Sequence, residues 1–119
     1  MIRYHKKDVN TTIAEILPGS RIINNPGDIL DIMADVGYHD CKAIIVHDKC
    51  LHHDFFDLKT GLAGEILQKF SNYRMKLAII GDFSGFKSKN LRDFIRESNI
   101  RGTICFVDSL EEALARLDI

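Results

Sequence analysis

Two hydrophobic rhythms alternate along the chain. Residues 2–5 read as a short strand, residues 6–10 as a polar turn, and residues 11–17, rich in β-branched side chains, as a second strand closed by Pro18-Gly19. This predicts a β-hairpin. Asn25-Pro26 then offers a capping amide followed by proline at the first helical position. Ile29, Leu30, Ile32, Met33 and Val36 form a helical apolar face, with Gly37 as its stop. The unbroken apolar run 43–46 predicts a buried strand. Leu62, Ile66, Leu67 and Phe70 recur at helical spacing within residues 61–73, and residues 77–80 form the next apolar run, ending at Gly81. Ser88 can cap a helix with Leu91, Phe94 and Ile95 on its inner face. Residues 103–107 read as the last strand. Ser109 with Glu112 makes a capping box for a helix carrying Leu110, Ala113, Leu114 and Leu117 at i, i+3, i+4 and i+7.

The predicted order is β-β-α-β-α-β-α-β-α. Strands alternating with helices imply right-handed crossovers and a mainly parallel sheet, to which the opening hairpin adds an antiparallel strand. The 119 residues are enough for one hydrophobic core and too few for two, so the expectation is a single α/β domain over residues 1–119.

Sixteen basic residues against seventeen acidic ones leave a net charge of −1. A general nucleic-acid binder needs a basic excess to release counterions, so no nucleic-acid partner is expected. No run approaches the roughly 18 apolar residues of a membrane span, and no apolar stretch follows the basic N-terminus as a secretory signal would require. Cys41, Cys50 and Cys105 are odd in number and contain no CxxC pair. A reducing, cytoplasmic setting fits them, with Cys105 acting as a small hydrophobe.

Familiar catalytic and nucleotide-binding patterns are missing. The turn after the hairpin has neither GxGxxG nor GxxxxGK[ST], and the chain has no GxSxG or HExxH. Asp48 follows the central strand, but Lys6-Lys7-Asp8 follows the first strand instead of the acidic pair a receiver domain uses to hold its metal. The chain is therefore expected to be non-enzymatic and to need no cofactor. Gly81, Ser84 and Gly85, between a strand and a helix, could receive an anion or border a small-molecule pocket, although a plain loop explains them too.

His47, Cys50, His52 and His53 lie within one short stretch, beside Asp48 and Asp54. All four are zinc-compatible ligand types in a loop after a central strand, where α/β sites often lie. Their spacing matches no standard structural zinc pattern, so a polar loop that happens to carry imidazoles is the alternative. His5 and His39 stand alone and are expected at the surface.

The most distinctive segment is Phe55-Phe56-Asp57-Leu58-Lys59-Thr60-Gly61-Leu62-Ala63-Gly64-Glu65-Ile66-Leu67-Gln68-Lys69-Phe70. Asp57 and Thr60 fall where a helix begins, and their oxygens can accept hydrogen bonds from its free N–H groups. On a purely structural reading Asp57 caps the helix, Phe55 and Phe56 fill the core, and Gly61 and Gly64 allow close packing. On a functional reading the helix start faces a partner or accepts a phosphate on Thr60, with Lys59 as a neighbouring positive charge.

This run, with Asn72-Tyr73-Arg74 after it, resembles the signature of an uncharacterised bacterial domain-of-unknown-function family of similar length. More distantly, the element order resembles that of STAS domains, the SpoIIAA-like anti-sigma-factor antagonists. Thr60-Gly61-Leu62 is similar to the second half of the Asp-Ser-Ser/Thr-Gly-Leu stretch those domains carry before a helix. The resemblance implies a regulatory domain that acts through a protein partner. It implies a phosphorylated serine where this chain has Lys59, and Asp57 is one residue displaced, so Thr60 is the nearby hydroxyl left to carry a switch.

Lys87, Lys89, Arg92, Arg96 and Arg101 cluster near the third helix, suiting either an acidic partner or a solvated face. The expectation is thus a domain acting by protein–protein contact around Asp57, Lys59, Thr60 and Gly61, with a metal-binding protein or small metalloenzyme built on the 47–53 loop as the alternative. The hairpin leaves an unpaired sheet edge, which keeps a homodimer open.

Overall fold

A computed structural model describes residues 2–9, 11–19, 21–37 and 40–117. His39 lies outside them. Five strands form one sheet: β1 (Ile2–Asp8), β2 (Thr11–Ile16), β3 (Cys41–His47), β4 (Lys76–Ile80) and β5 (Ile104–Val107). Among the described residues there are four α-helices: α1 (Pro26–Gly37), α2 (Leu62–Asn72), α3 (Lys89–Arg101) and α4 (Leu110–Arg116).

Strand order in space equals strand order in sequence, β1-β2-β3-β4-β5. The first pair is antiparallel and the other three pairs are parallel. The expected mixed sheet is present. The predicted turn at residues 6–10 begins later than the polarity of Lys6 suggests, because β1 continues to Asp8 through a register shift between Lys6 and Asp8. An edge strand tolerates lysine, since one side of it faces solvent.

The two faces of the sheet are covered differently. Ala14, Ile16, Ile44, Val46, Leu77, Ile79, Ile104 and Phe106 pack with the apolar faces of α1, α2 and α3. Ile13, Ala43, Ile45, Ala78, Ile80, Cys105 and Val107 pack with Ala113 and Leu117 at α4. Coverage on both faces explains why β3, β4 and β5 read as continuous apolar runs. Cys105 is buried, as a small hydrophobe would be.

The predicted caps form. Asn25 Oδ1 accepts from the Asp28 amide at 3.0 Å, and Asp28 Oδ2 accepts from the Asn24 amide at 2.8 Å. Ser88 accepts from the Leu91 amide at 3.2 Å and Ser109 from the Glu112 amide at 3.1 Å.

Candidate functional site

Three short 3₁₀ turns, Asp48–Cys50, His53–Phe56 and Leu58–Thr60, connect β3 to α2. The connection is pinned to the segment before α1, where the Ile23 amide donates to the Cys50 carbonyl at 2.7 Å and the His52 amide donates to the Ile23 carbonyl at 3.0 Å. Pinning of this kind gives a loop with so many polar residues a fixed shape.

The turn at Asp57 to Gly61 precedes α2. Asp57 accepts from the Lys59 amide at 3.2 Å and so caps the last 3₁₀ turn instead of α2, which corrects the expected helix cap. Gly61 stands at the cap position of α2 with φ 79°, a left-handed conformation that suits glycine. The Thr60 hydroxyl is shared between the Asp54 carbonyl at 2.7 Å and the Asp57 carbonyl at 2.9 Å, and its oxygen accepts from the Leu62 amide at 3.3 Å. Thr60 thus ties both preceding turns to the first residue of α2 while remaining exposed, as Lys59 and Gly61 do. Phe55 is buried. Phe56 is half-buried and joins Phe83 and Phe86, with ring centroids 5.2 Å from Phe86 and 6.1 Å from Phe83. Gly64 is exposed with open space beside it, so it does not serve close packing.

The four zinc-compatible residues of the 47–53 stretch separate. His47 turns to the sheet. The Cys50 sulfur lies 3.8 Å from the Leu17 carbonyl and 4.0 Å from that of Ile16, and burial pushes its thiol up, away from the thiolate a metal needs. His52 and His53 stay together, ring centroids 4.1 Å apart. With Asp54 they form a group whose ligand atoms all lie within 4.8 Å of one another. His52 Nδ1 accepts from the Asp54 amide at 3.1 Å, so in the neutral ring Nε2 carries the hydrogen, and a metal would have to displace one or the other.

His47 belongs to a centre that sequence reasoning did not find. Glu15 on β2 is only 3% exposed, and its two carboxylate oxygens are divided between neighbouring strands. His5 Nε2 on β1 lies 2.9 Å from Oε1, and His47 Nε2 at the end of β3 lies 2.8 Å from Oε2. His5 is therefore not the solitary surface residue expected. An ionised carboxylate only accepts hydrogen bonds, so both Nε2 atoms carry hydrogens in this arrangement. Burial alone would push the Glu15 carboxyl up. The hydrogen bonds from His47 and His5, together with their charges, outweigh it and hold the carboxyl below its usual range.

The hollow beside the loop after β4 is lined by carboxylates. Gly81, Ser84 and Asp82 line this open hollow of about 540 Å³ together with Asp108 and Glu112. Asp82 Oδ1 accepts from the Ser84 amide at 3.0 Å and from its hydroxyl at 2.6 Å, so a carboxylate of the chain already occupies the donors an external anion would use. Gly85 is exposed nearby. A Cβ at Gly81 would fall 2.7 Å from Asp48 Cγ, so Asp48 lies directly against the Gly81 backbone.

On α3 the basic stripe is partly neutralised. Asp93 accepts from Lys89 at 2.9 Å and from Arg96 at 3.0 Å. No helix among the described residues is long and apolar enough to cross a membrane.

The fold defines a small α/β domain with a five-stranded mixed sheet and four helices. Residues 8–117 match the family model described as Domain of unknown function (DUF4180), and the chain belongs to that family. No curated protein matches the chain.

Proposed function

We propose that this domain is a non-enzymatic regulatory module of STAS-like character, acting by contact with a protein partner through the turn at Asp57, Lys59, Thr60 and Gly61. The observation that carries this reading is the position of Thr60: exposed, yet bonded to both turns before α2. A phosphate or carboxylate there would remove the hydroxyl hydrogen from both carbonyls and bring negative charge to the start of a helix. The half-buried Phe56, Phe83 and Phe86 stack provides an apolar neighbour for such a contact. Support for the STAS-like character comes from the element order, with its opening hairpin, and from the beginning of α2 within Thr60-Gly61-Leu62.

The test compares wild type, Thr60→Glu and Thr60→Ser as bait in cross-linked pull-downs from the native host, with circular dichroism to check folding. Thr60→Glu is expected to change which partner is recovered, and Thr60→Ser to preserve it. Identical recovery by folded Thr60→Glu and wild type sinks the site assignment.

A second reading, metal binding, draws on the grouping of His52, His53 and Asp54. It uses a smaller set than His47, Cys50, His52 and His53. Three side chains leave a position open for water, as in sites where a metal does chemistry. Zinc bound there would raise the stability of the folded chain, since it engages the native arrangement.

A further inference from the structure

The end of α2 farthest from Thr60 borders a second feature, a groove of about 540 Å³ between α1 and the turn into β4. Met33 and Cys41 in its lining are buried, and Leu30 and Met75 are half-buried. Lys42, Tyr73 and Arg74 are exposed along it, and no carboxylate lines it among the described residues. The Cys41 thiol is pushed up by burial and by Asp40, so it stays neutral. Neither Lys42 nor Arg74 has a side-chain hydrogen bond or ion pair among the described residues, unlike Lys89 and Arg96 on α3.

Arg74 also holds an unusual backbone position. The Met75 amide donates to the Phe70 carbonyl at 2.9 Å and the Arg74 amide to the Ser71 carbonyl at 3.2 Å, the paired bonds of a Schellman motif. The residue at the left-handed position of that motif is usually glycine, yet here Arg74 adopts φ 55°. A long cationic side chain is thereby presented at the groove from a turn that three hydrogen bonds hold, counting Tyr73 N–H to the Lys69 carbonyl at 3.1 Å.

We propose that this groove binds a small organic carboxylate with an aliphatic body. Its volume falls in the range of small-molecule sites, its apolar lining suits a hydrocarbon, and the exposed Lys42 and Arg74 along it supply positive charge for a negative head group. This site is independent of the contact surface around Thr60.

Sodium decanoate, decanol and inorganic phosphate serve as probes, titrated by calorimetry and by amide chemical shifts on the full chain. Saturable decanoate binding is expected, with shifts at Met33, Cys41 and Met75. Decanol should bind about tenfold more weakly or worse, the value of a charge-assisted hydrogen bond, and phosphate alone should not bind. Arg74→Gly keeps the turn, because glycine suits φ 55°, and should also lose about tenfold in decanoate affinity without loss of thermal stability. Lys42→Ala should weaken binding and Lys42→Arg restore it. The proposal is overturned if decanoate does not saturate, if decanol binds equally well, if shifts map elsewhere, or if folded Arg74→Gly binds as wild type does.

Discussion

Two groups of histidines in this domain differ in how they are made. His52 and His53 adjoin each other and Asp54 in sequence and share one surface turn. His5 and His47 are distant in the chain, and strand pairing brings both to Glu15 from opposite sides. The local group is visible as a motif but lies open to solvent, and the His53 side chain is 85% exposed. The assembled group is invisible as a motif yet sits in the sheet, with the Glu15 side chain only 4% exposed. Closeness in sequence therefore reveals side chains that can meet cheaply, whereas a buried charge has to be met by partners the fold supplies.

The largest expected break in the comparison comes from Glu15→Ala. It leaves two partly buried imidazoles without their acceptor and should cost about 2 kcal/mol in urea unfolding. Asp54→Ala should cost no more than about 0.5 kcal/mol, as exposed changes usually do. If the two variants unfold at the same urea concentration, the Glu15 centre contributes nothing special.

Acid sharpens the same contrast. The Glu15 carboxyl is held lower in the folded chain than in the unfolded one, so its contribution to stability is present above the usual carboxylate range. The contribution disappears as the pH falls through the lowered value, where folded and unfolded chains bind the proton alike. The stability gap between wild type and Glu15→Gln should therefore shrink on acidification below the usual carboxylate range, and chemical unfolding over a pH series reads it. A gap that widens with acid would reverse the assigned direction.

The smallest expected effect concerns the local group. His52→Ala with His53→Ala should change stability by no more than about 0.5 kcal/mol without metal. If metal binds there, the pair abolishes any thermal shift on zinc addition, while His5→Ala leaves that shift in place. A zinc shift that survives the double change and vanishes with His5→Ala would move the metal reading to the sheet.

Much of the fold is legible in the residues. Asn25, Ser88 and Ser109 cap helices because short polar side chains reach free amides there, a local effect that a window of a few residues contains. Both-sided coverage writes itself into β3 and β4 as unbroken apolar runs. Glu15 was not legible as a site, because its meaning depends on which strands flank β2. One signal existed: within residues 11–16 it shares a face with Ile13, so a carboxylate stands on an inward side of a strand and calls for partners. Cys50 shows the reverse failure. Its neighbours suggest a ligand, but the bridge between Ile23 and Leu51 pins this stretch to the segment before α1, and the sulfur faces the carbonyls of Ile16 and Leu17 at the end of β2. Gly64 was legible only as a glycine. Whether a neighbour lies against it is a matter of helix rotation, and none does.

The strand order has a consequence for how the chain is made. Each strand pairs with the one before it, so none must wait for a later segment to be inserted between two earlier ones. A chain emerging from the ribosome can lay down the hairpin and then add one strand-and-helix unit at a time, always on the same growing edge. Until the next strand arrives, that edge is open. Built in that order, the sheet would pass through a series of temporary edges, with β5 as the last strand to join.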